Sequence, residues 1–247
     1  MKIYPGLILL LFIIFDLHEK KNDRMIILEN VATAVATTIV MILPFMFLGA
    51  QLSDIFSFTG FHSGRGFQSE STIAIISHLL SDLGLFEYSE VLNHDTYDVV
   101  SPVTDALLPI WGIIESAIIA AVCVAVYYST RIHHADETER STNQITCALL
   151  VLMTFITVNT VFSTQYILWL LPFLPIVSLK LRARFGNKLI FSAILIFVLS
   201  MIRGGNILPE FFVPAFAIRA LILIVTTVVL LRVVVTPAHA SEASETL

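Results

Sequence analysis

The chain has 247 residues, of which 57% are hydrophobic and 13% charged. Its mean hydropathy of +0.88 is far above that of soluble domains, which carry charge on about a quarter of their residues. The net charge of −5 comes without any basic patch, so nothing supports nucleic acid as a partner. Composition therefore predicts an all-α, polytopic membrane bundle.

Seven apolar segments follow in order, at 4–15, 26–49, 106–128, 144–161, 167–179, 189–202 and 211–232. A spanning helix needs about 20 apolar residues, so the first is short. It runs into Asp16-Leu17-His18-Glu19-Lys20-Lys21 with no small-residue cleavage site, unlike a signal peptide. It reads as the last part of a helix. Residues 1–232 are expected to form one bundle, and the small, polar stretch 233–247 a disordered cytoplasmic tail.

Between the second and third segments lies a large loop, 51–105, holding eight acids against Arg65 alone. Within it, apolar residues at 73, 75, 76, 79, 80, 83 and 85 predict an amphipathic helix over Ser71–Phe86. Ser69 or Ser71 is the expected N-cap. The helix is read as lying along the membrane surface, or partly re-entrant, and Tyr88–Pro102 as loop. Cys123 and Cys147 fall inside apolar runs and read as small buried residues. No Cys/His cluster has ligand spacing, so no metal is expected, and no cofactor motif stands out. His133-His134, in a charged loop, is read as solvated.

Ten of the 14 Lys and Arg residues fall in alternate connections or at the chain's end, among them Lys20, Lys21, Arg131, Arg184 and Arg232. The exceptions are Lys2, Arg65, Arg203 and Arg219. The positive-inside rule then places 16–25, 129–143, 180–188 and the C-terminus in the cytoplasm. The loop 51–105, the connection before Tyr166 and Arg203 face outward.

Several polar residues stand out against this background. Ser163, Thr164, Gln165 and Tyr166 sit between two apolar runs, and with Trp169 they fit the aromatic belt of an interface. An ordinary tight connection between helices has the same composition. Arg65, flanked by Gly64 and Gly66, has the chemistry to grip a phosphate bidentately; it equally suits a lipid headgroup contact or a pair with Glu70. Arg203-Gly204-Gly205 repeats that composition. Glu115, about 15 Å inside the third segment, calls for a buried partner, and Arg219 in the last segment is the candidate.

Three stretches carry a family resemblance. Phe162-Ser163-Thr164-Gln165-Tyr166-Ile167-Leu168-Trp169-Leu170-Leu171-Pro172 resembles the F-S-x-Q-Y-x-L-W-x-L-P segment of GT-C glycosyltransferases that use lipid-linked sugars, nearest to glycosyltransferase family 87 and the catalytic subunit of GPI mannosyltransferase I. Arg65-Gly66-Phe67-Gln68-Ser69-Glu70-Ser71 resembles the R-x-x-Q-x-E-S element of that group, and Lys2-Ile3-Tyr4-Pro5 its K-x-Y-P. The order of the three is also the same.

The resemblance implies transfer of a sugar, mannose first, from a polyprenyl-phosphate donor at the outer face, with inversion. Arg65 would contact the phosphate, with Arg203 second, while Gln68, Glu70, Gln165 and Tyr166 shape the headgroup pocket. In such enzymes K-x-Y-P lies mid-protein and the base sits on an earlier outer loop. No catalytic base is therefore assigned here; Asp95 or Asp98 would serve only by coincidence. The chain is expected to be the C-terminal portion of such an enzyme, with a second membrane polypeptide as candidate partner. Two other expectations stand beside it. One is a non-catalytic partner supplying a lipid-binding groove, and the other a small transporter using Glu115 and Arg219.

Overall fold

A computed structural model describes residues 11, 13, 15, 24–51, 65–93, 96–132, 137–163, 165–180, 182–201 and 212–235. Most of the expected first helix, residues Asp95, Thr164 and Arg203, and the tail from 236 onward lie outside the described residues. The chain divides into two compact units, Met1–Arg65 and Gly66–Leu247.

The first unit contains α1 (Arg24–Phe47), which covers most of the second apolar segment. Its end is closed by Gly49, whose φ of 93° is the left-handed conformation a helix C-terminus favours. The Leu48 and Ala50 amides turn back onto the Pro44 and Phe45 carbonyls.

The second unit is mostly helical. It comprises α2 (Thr72–Asp82), α3 (Pro102–Ile132), α4 (Glu137–Val158), α5 (Gln165–Leu170), α6 (Leu174–Lys180), α7 (Arg182–Met201) and α8 (Phe212–Val235). Every residue of α4 from Thr146 to Ile156 is buried, as expected of a helix apolar on all sides. It packs against α3, α5, α6 and α8, and α8 in turn packs against α2, α3 and α7. Hydroxyls tie this core together: Thr157 meets Thr227 across α4 and α8 at 3.3 Å, and Ser129 on α3 donates to the Val234 carbonyl.

Among the described residues, two helices are long and apolar enough to cross a membrane: α3 over Pro102–Ser129, with mean hydropathy 2.2, and α8 over Phe212–Val235, with 2.5. They expose Ile110, Ile113 and Val124, and Ile218, Leu221 and Val225, respectively. Such apolar surface suits contact with lipid. The apolar parts of α4 and α7, Asn143–Val158 and Gly186–Met201, are shorter. Segment 167–179, expected as one span, is instead two short helices, α5 and α6, with a turn at Leu171–Phe173. Pro172 explains the break, because it lacks an N–H and disfavours helical geometry at Leu171.

The large loop holds both an expected element and an unexpected one. α2 begins where the apolar spacing places it: Ser71 is its N-cap, accepting from the Ala74 amide at 3.3 Å. The stretch Tyr88–Pro102, read from sequence as loop, is mostly a hairpin. β2 (Ser89–Asn93) and β3 (Thr96–Val100) pair antiparallel, and β1 (Phe67–Gln68) joins on the other side of β3 in the order β1-β3-β2. The all-α expectation thus holds for most of the chain but omits this three-stranded sheet. Val91, Tyr97, Val99 and Val100 supply β-branched and aromatic residues, and the interleaved acids that suggested loop remain on the ladder.

The sheet is anchored through one face. Phe67 and Val99, cross-strand partners, are buried with Ala74 and Trp111. The Phe67 and Trp111 rings meet edge to face with centroids 5.3 Å apart, and Trp111 Nε1 donates to the Val158 carbonyl at 2.9 Å. α3 then starts at a reciprocal cap. The Thr104 amide donates to Ser101 Oγ at 3.1 Å and the Ser101 amide to Thr104 Oγ1 at 2.8 Å. Ser101 Oγ also donates to Ser77 Oγ at 3.2 Å, joining α3 to α2.

Candidate functional site

The site is built around a cation inside an apolar helix. Arg219 lies on α8, two turns from its start, and is 1% exposed. Its Nη2 donates to the Glu70 carbonyl, and its Nη1 is 3.7 Å from Glu70 Oε2. The guanidinium lies over two rings, 3.7 Å from the Phe162 centroid and 4.1 Å from that of Phe216. Burying an isolated charge here costs several kcal/mol, on the order of the penalty for any ion in low dielectric. Glu70 and the two π faces offset that cost.

This corrects the pairing expected from sequence. Glu115 is half-buried on α3, whereas Arg219 takes Glu70 as its acid. The result links two of the three stretches that carry the resemblance, because Glu70 belongs to one and Phe162 opens the other. The Gln68 amide adds a backbone tie, donating to the Thr160 carbonyl at 3.0 Å.

Of the sequence-predicted residues, Glu70 and Gln68 lie in this junction. Gln68 is 7% exposed and Glu70 half-buried. Tyr166 is buried on α5, its ring 6.4 Å from that of Phe162 and 4.5 Å from that of Trp169. Gln165 opens the same helix and is exposed. Arg65 is half-buried and ends the first unit, one residue before Gly66. Arg203 lies outside the described residues.

Two features were not anticipated. Asp98 is 5% exposed and its Oδ2 accepts from the Gly66 amide at 2.9 Å and from Asn93 Nδ2 at 2.8 Å. It fixes the entry into the R-x-x-Q-x-E-S stretch to the hairpin. A Cβ on Gly66 would stand 3.1 Å from that same oxygen, so any larger residue there must push the Asp98 side chain aside by a few tenths of an ångström. The alternation Thr96-Tyr97-Asp98-Val99-Val100 hints at a strand, but nothing in it identifies the amide that Asp98 caps.

The second feature is a cavity of about 320 Å³ lined by carbon, with walls from Ile167, Leu168, Leu171 and Leu174 on one side and Ala193 and Phe197 on the other. α5, α6 and the turn between them form one wall and α7 the other. The first three of these residues belong to the stretch Phe162–Pro172. No group of three or more His, Cys, Asp or Glu suited to a metal occurs among the described residues. Comparisons with protein-family models, curated proteins and solved structures find no match.

Proposed function

We propose that this chain is a multi-pass membrane module of a GT-C glycosyltransferase, handling a polyprenyl-phosphate-linked sugar, with mannose the first candidate, at the outer face. The observation that carries the reading is the meeting of Glu70 and Phe162 on Arg219, which joins the two motif stretches across the unit. About seven spans, with a cytoplasmic C-terminus, complete the proposed topology.

The chemistry divides among the parts as follows. The prenyl chain occupies the apolar cavity beside Ile167 and Leu171. Gln68, Glu70, Gln165 and Tyr166 border the headgroup, and an arginine takes the leaving phosphate. As the resemblance implies, Arg65 is proposed for this role, with Arg203 second. An acceptor hydroxyl loses its proton to a base, its oxygen bonds to the anomeric carbon, and lipid phosphate leaves with the electron pair. The base is proposed to come from a second membrane polypeptide.

A second reading, a non-catalytic subunit presenting a lipid groove, is favoured by the same cavity, whose walls contain no charged group.

Photocrosslinking tests the proposal. The full chain in vesicles is exposed to a polyprenyl phosphate bearing a benzophenone on its prenyl chain. Adducts in 165–175 and 190–197, competed by unlabelled polyprenyl phosphate and weakened by R65A, are the expected result. Labelling spread over the exposed faces of α3 and α8, or competed equally by phosphatidylcholine, sinks it. Adding the candidate partner and scoring sugar transfer separates the catalytic reading from the groove-only one.

A further inference from the structure

Glu115 is the acid that the Arg219 junction leaves over. It lies on α3, about 20 Å along the helix from Pro102 and about 20 Å from Ser129, the ends of the apolar stretch. Half the hydrocarbon thickness is about 15 Å, so in a crossing α3 this carboxyl sits near the midplane, out of reach of water on either side. It is half-buried, and among the described residues it has no hydrogen-bond partner and no ion pair. Arg219 is held by Glu70, and Arg232 stands in the last turn of α8. An acid at this depth is costly unless it faces a partner.

The surface beside it is open. Gly112 lies one turn before Glu115, and Ser116 one turn after Gly112, so the three share a side of α3. Gly112 and Ser116 are both exposed, and their spacing is the small-xxx-small pattern that lets two helix backbones approach closely. A Cβ added at Gly112 would meet nothing within 4 Å, so no described residue fills that space. A lipid chain lying there would cover the glycine but leave the carboxyl without a donor. A second copy, packed symmetrically, would set Glu115 against Glu115. A helix with a cation at its own midpoint answers both the gap and the charge.

We propose that this face of α3 seats a spanning helix of another polypeptide, one that carries a lysine or arginine near its midpoint. The cation pairs with Glu115 in the low dielectric of the bilayer, and the helix backbone lies over Gly112 and Ser116. The charge pair fixes the depth of the incoming helix, and the two small residues fix how near it comes. The seat rests on the proposed multi-pass topology, in which α3 crosses the bilayer, and is independent of the sugar donor.

The test places the donor-labelled full chain in phosphatidylcholine vesicles with acceptor-labelled synthetic helices and reads energy transfer. The probes are leucine–alanine peptides of about 24 residues with tryptophan anchors and either lysine or leucine at the midpoint. The lysine peptide is expected to associate at least about tenfold more tightly than the leucine peptide. E115L, which keeps α3 apolar, should erase that preference, and E115Q should weaken it. G112L should weaken binding of both peptides. Equal binding of the two peptides to wild type, a lysine preference that survives in E115L, or pairing of the chain with itself that the lysine peptide does not displace overturns the seat. I113C, at an exposed position beside the seat, separates this failure from that of the topology. Its labelling by a membrane-impermeant maleimide, above the wild-type background, sinks the span and the seat together; equal binding of the peptides with I113C shielded sinks the seat alone.

Discussion

Glu70 and Arg219 lie 149 residues apart and meet through both a carbonyl and a carboxylate, beneath two phenylalanine rings. The contact clamps the start of α2 onto a helix apolar enough to cross a bilayer. Removing the arginine strands a mostly buried acid, whereas removing both charges does not. R219A is therefore expected to cost about 3 kcal/mol or more, and E70L/R219L less than the sum of its single changes. R219K should recover only part of the loss, since an ammonium cannot lie flat between two rings. Thermal melts in detergent of R219A, R219K, E70L, R219L, E70L/R219L and wild type decide the matter; equal stability of R219A and wild type would refute the clamp.

The Asp98 cap makes a local prediction. D98A leaves the Gly66 amide and the Asn93 side chain without their shared acceptor. The expected cost is about 1–3 kcal/mol. G66A crowds the same oxygen and should cost about 1–2 kcal/mol. Because both changes strike one contact, G66A/D98A should fall short of the sum. Chemical denaturation in a mild detergent reads all three; strict additivity would show that the two residues act separately.

The apolar cavity offers a steric test. Ala193 is buried on the α7 wall, where a larger side chain enters the space directly. A193W is expected to reduce polyprenyl-phosphate capture about tenfold or more while keeping or raising the melting temperature, since it fills a void. Undiminished capture by a folded A193W would place the lipid elsewhere.

Acid should weaken the fold through His78. Because burial lowers its folded pKa below 6.5, the unfolded chain binds more protons as pH falls through that value. Stability from this residue is complete above about 6.5 and declines until the folded pKa is passed. Melting temperatures across this range should slope more steeply for wild type than for H78L, and matching slopes would assign the acid effect to other groups.

How much of this was legible in the residues differs from element to element. α2 announced itself through apolar spacing and Ser71, because a helix cap is a local signal. The hairpin did not: its acids signalled solvent, yet Asp98 is buried on the central strand while Glu90 is exposed on the edge strand. The register partner of Glu90, Val99, is buried. Pro172 was visible, yet the apolar run through it read as one span, because hydropathy ignores a missing amide. Of the proposed pocket, Gln68, Glu70 and Tyr166 were named from sequence and lie near the Arg219 junction. The acid that Arg219 would choose was not readable. Glu70 and Glu115 are both acids within reach in principle, and only the path of the chain through the sheet decides between them.

The clamp also sets an order of events during biosynthesis. α8 carries its arginine about 10 Å from one end, and an arginine at the centre of a spanning helix costs about 2.5–3.5 kcal/mol to insert alone. That charge finds its acid only when Glu70, synthesised long before, is already held by the sheet and by α2. The last helix of the described chain therefore reports on the first fold of the large loop. A chain whose loop has misfolded leaves the Arg219 guanidinium without its acid.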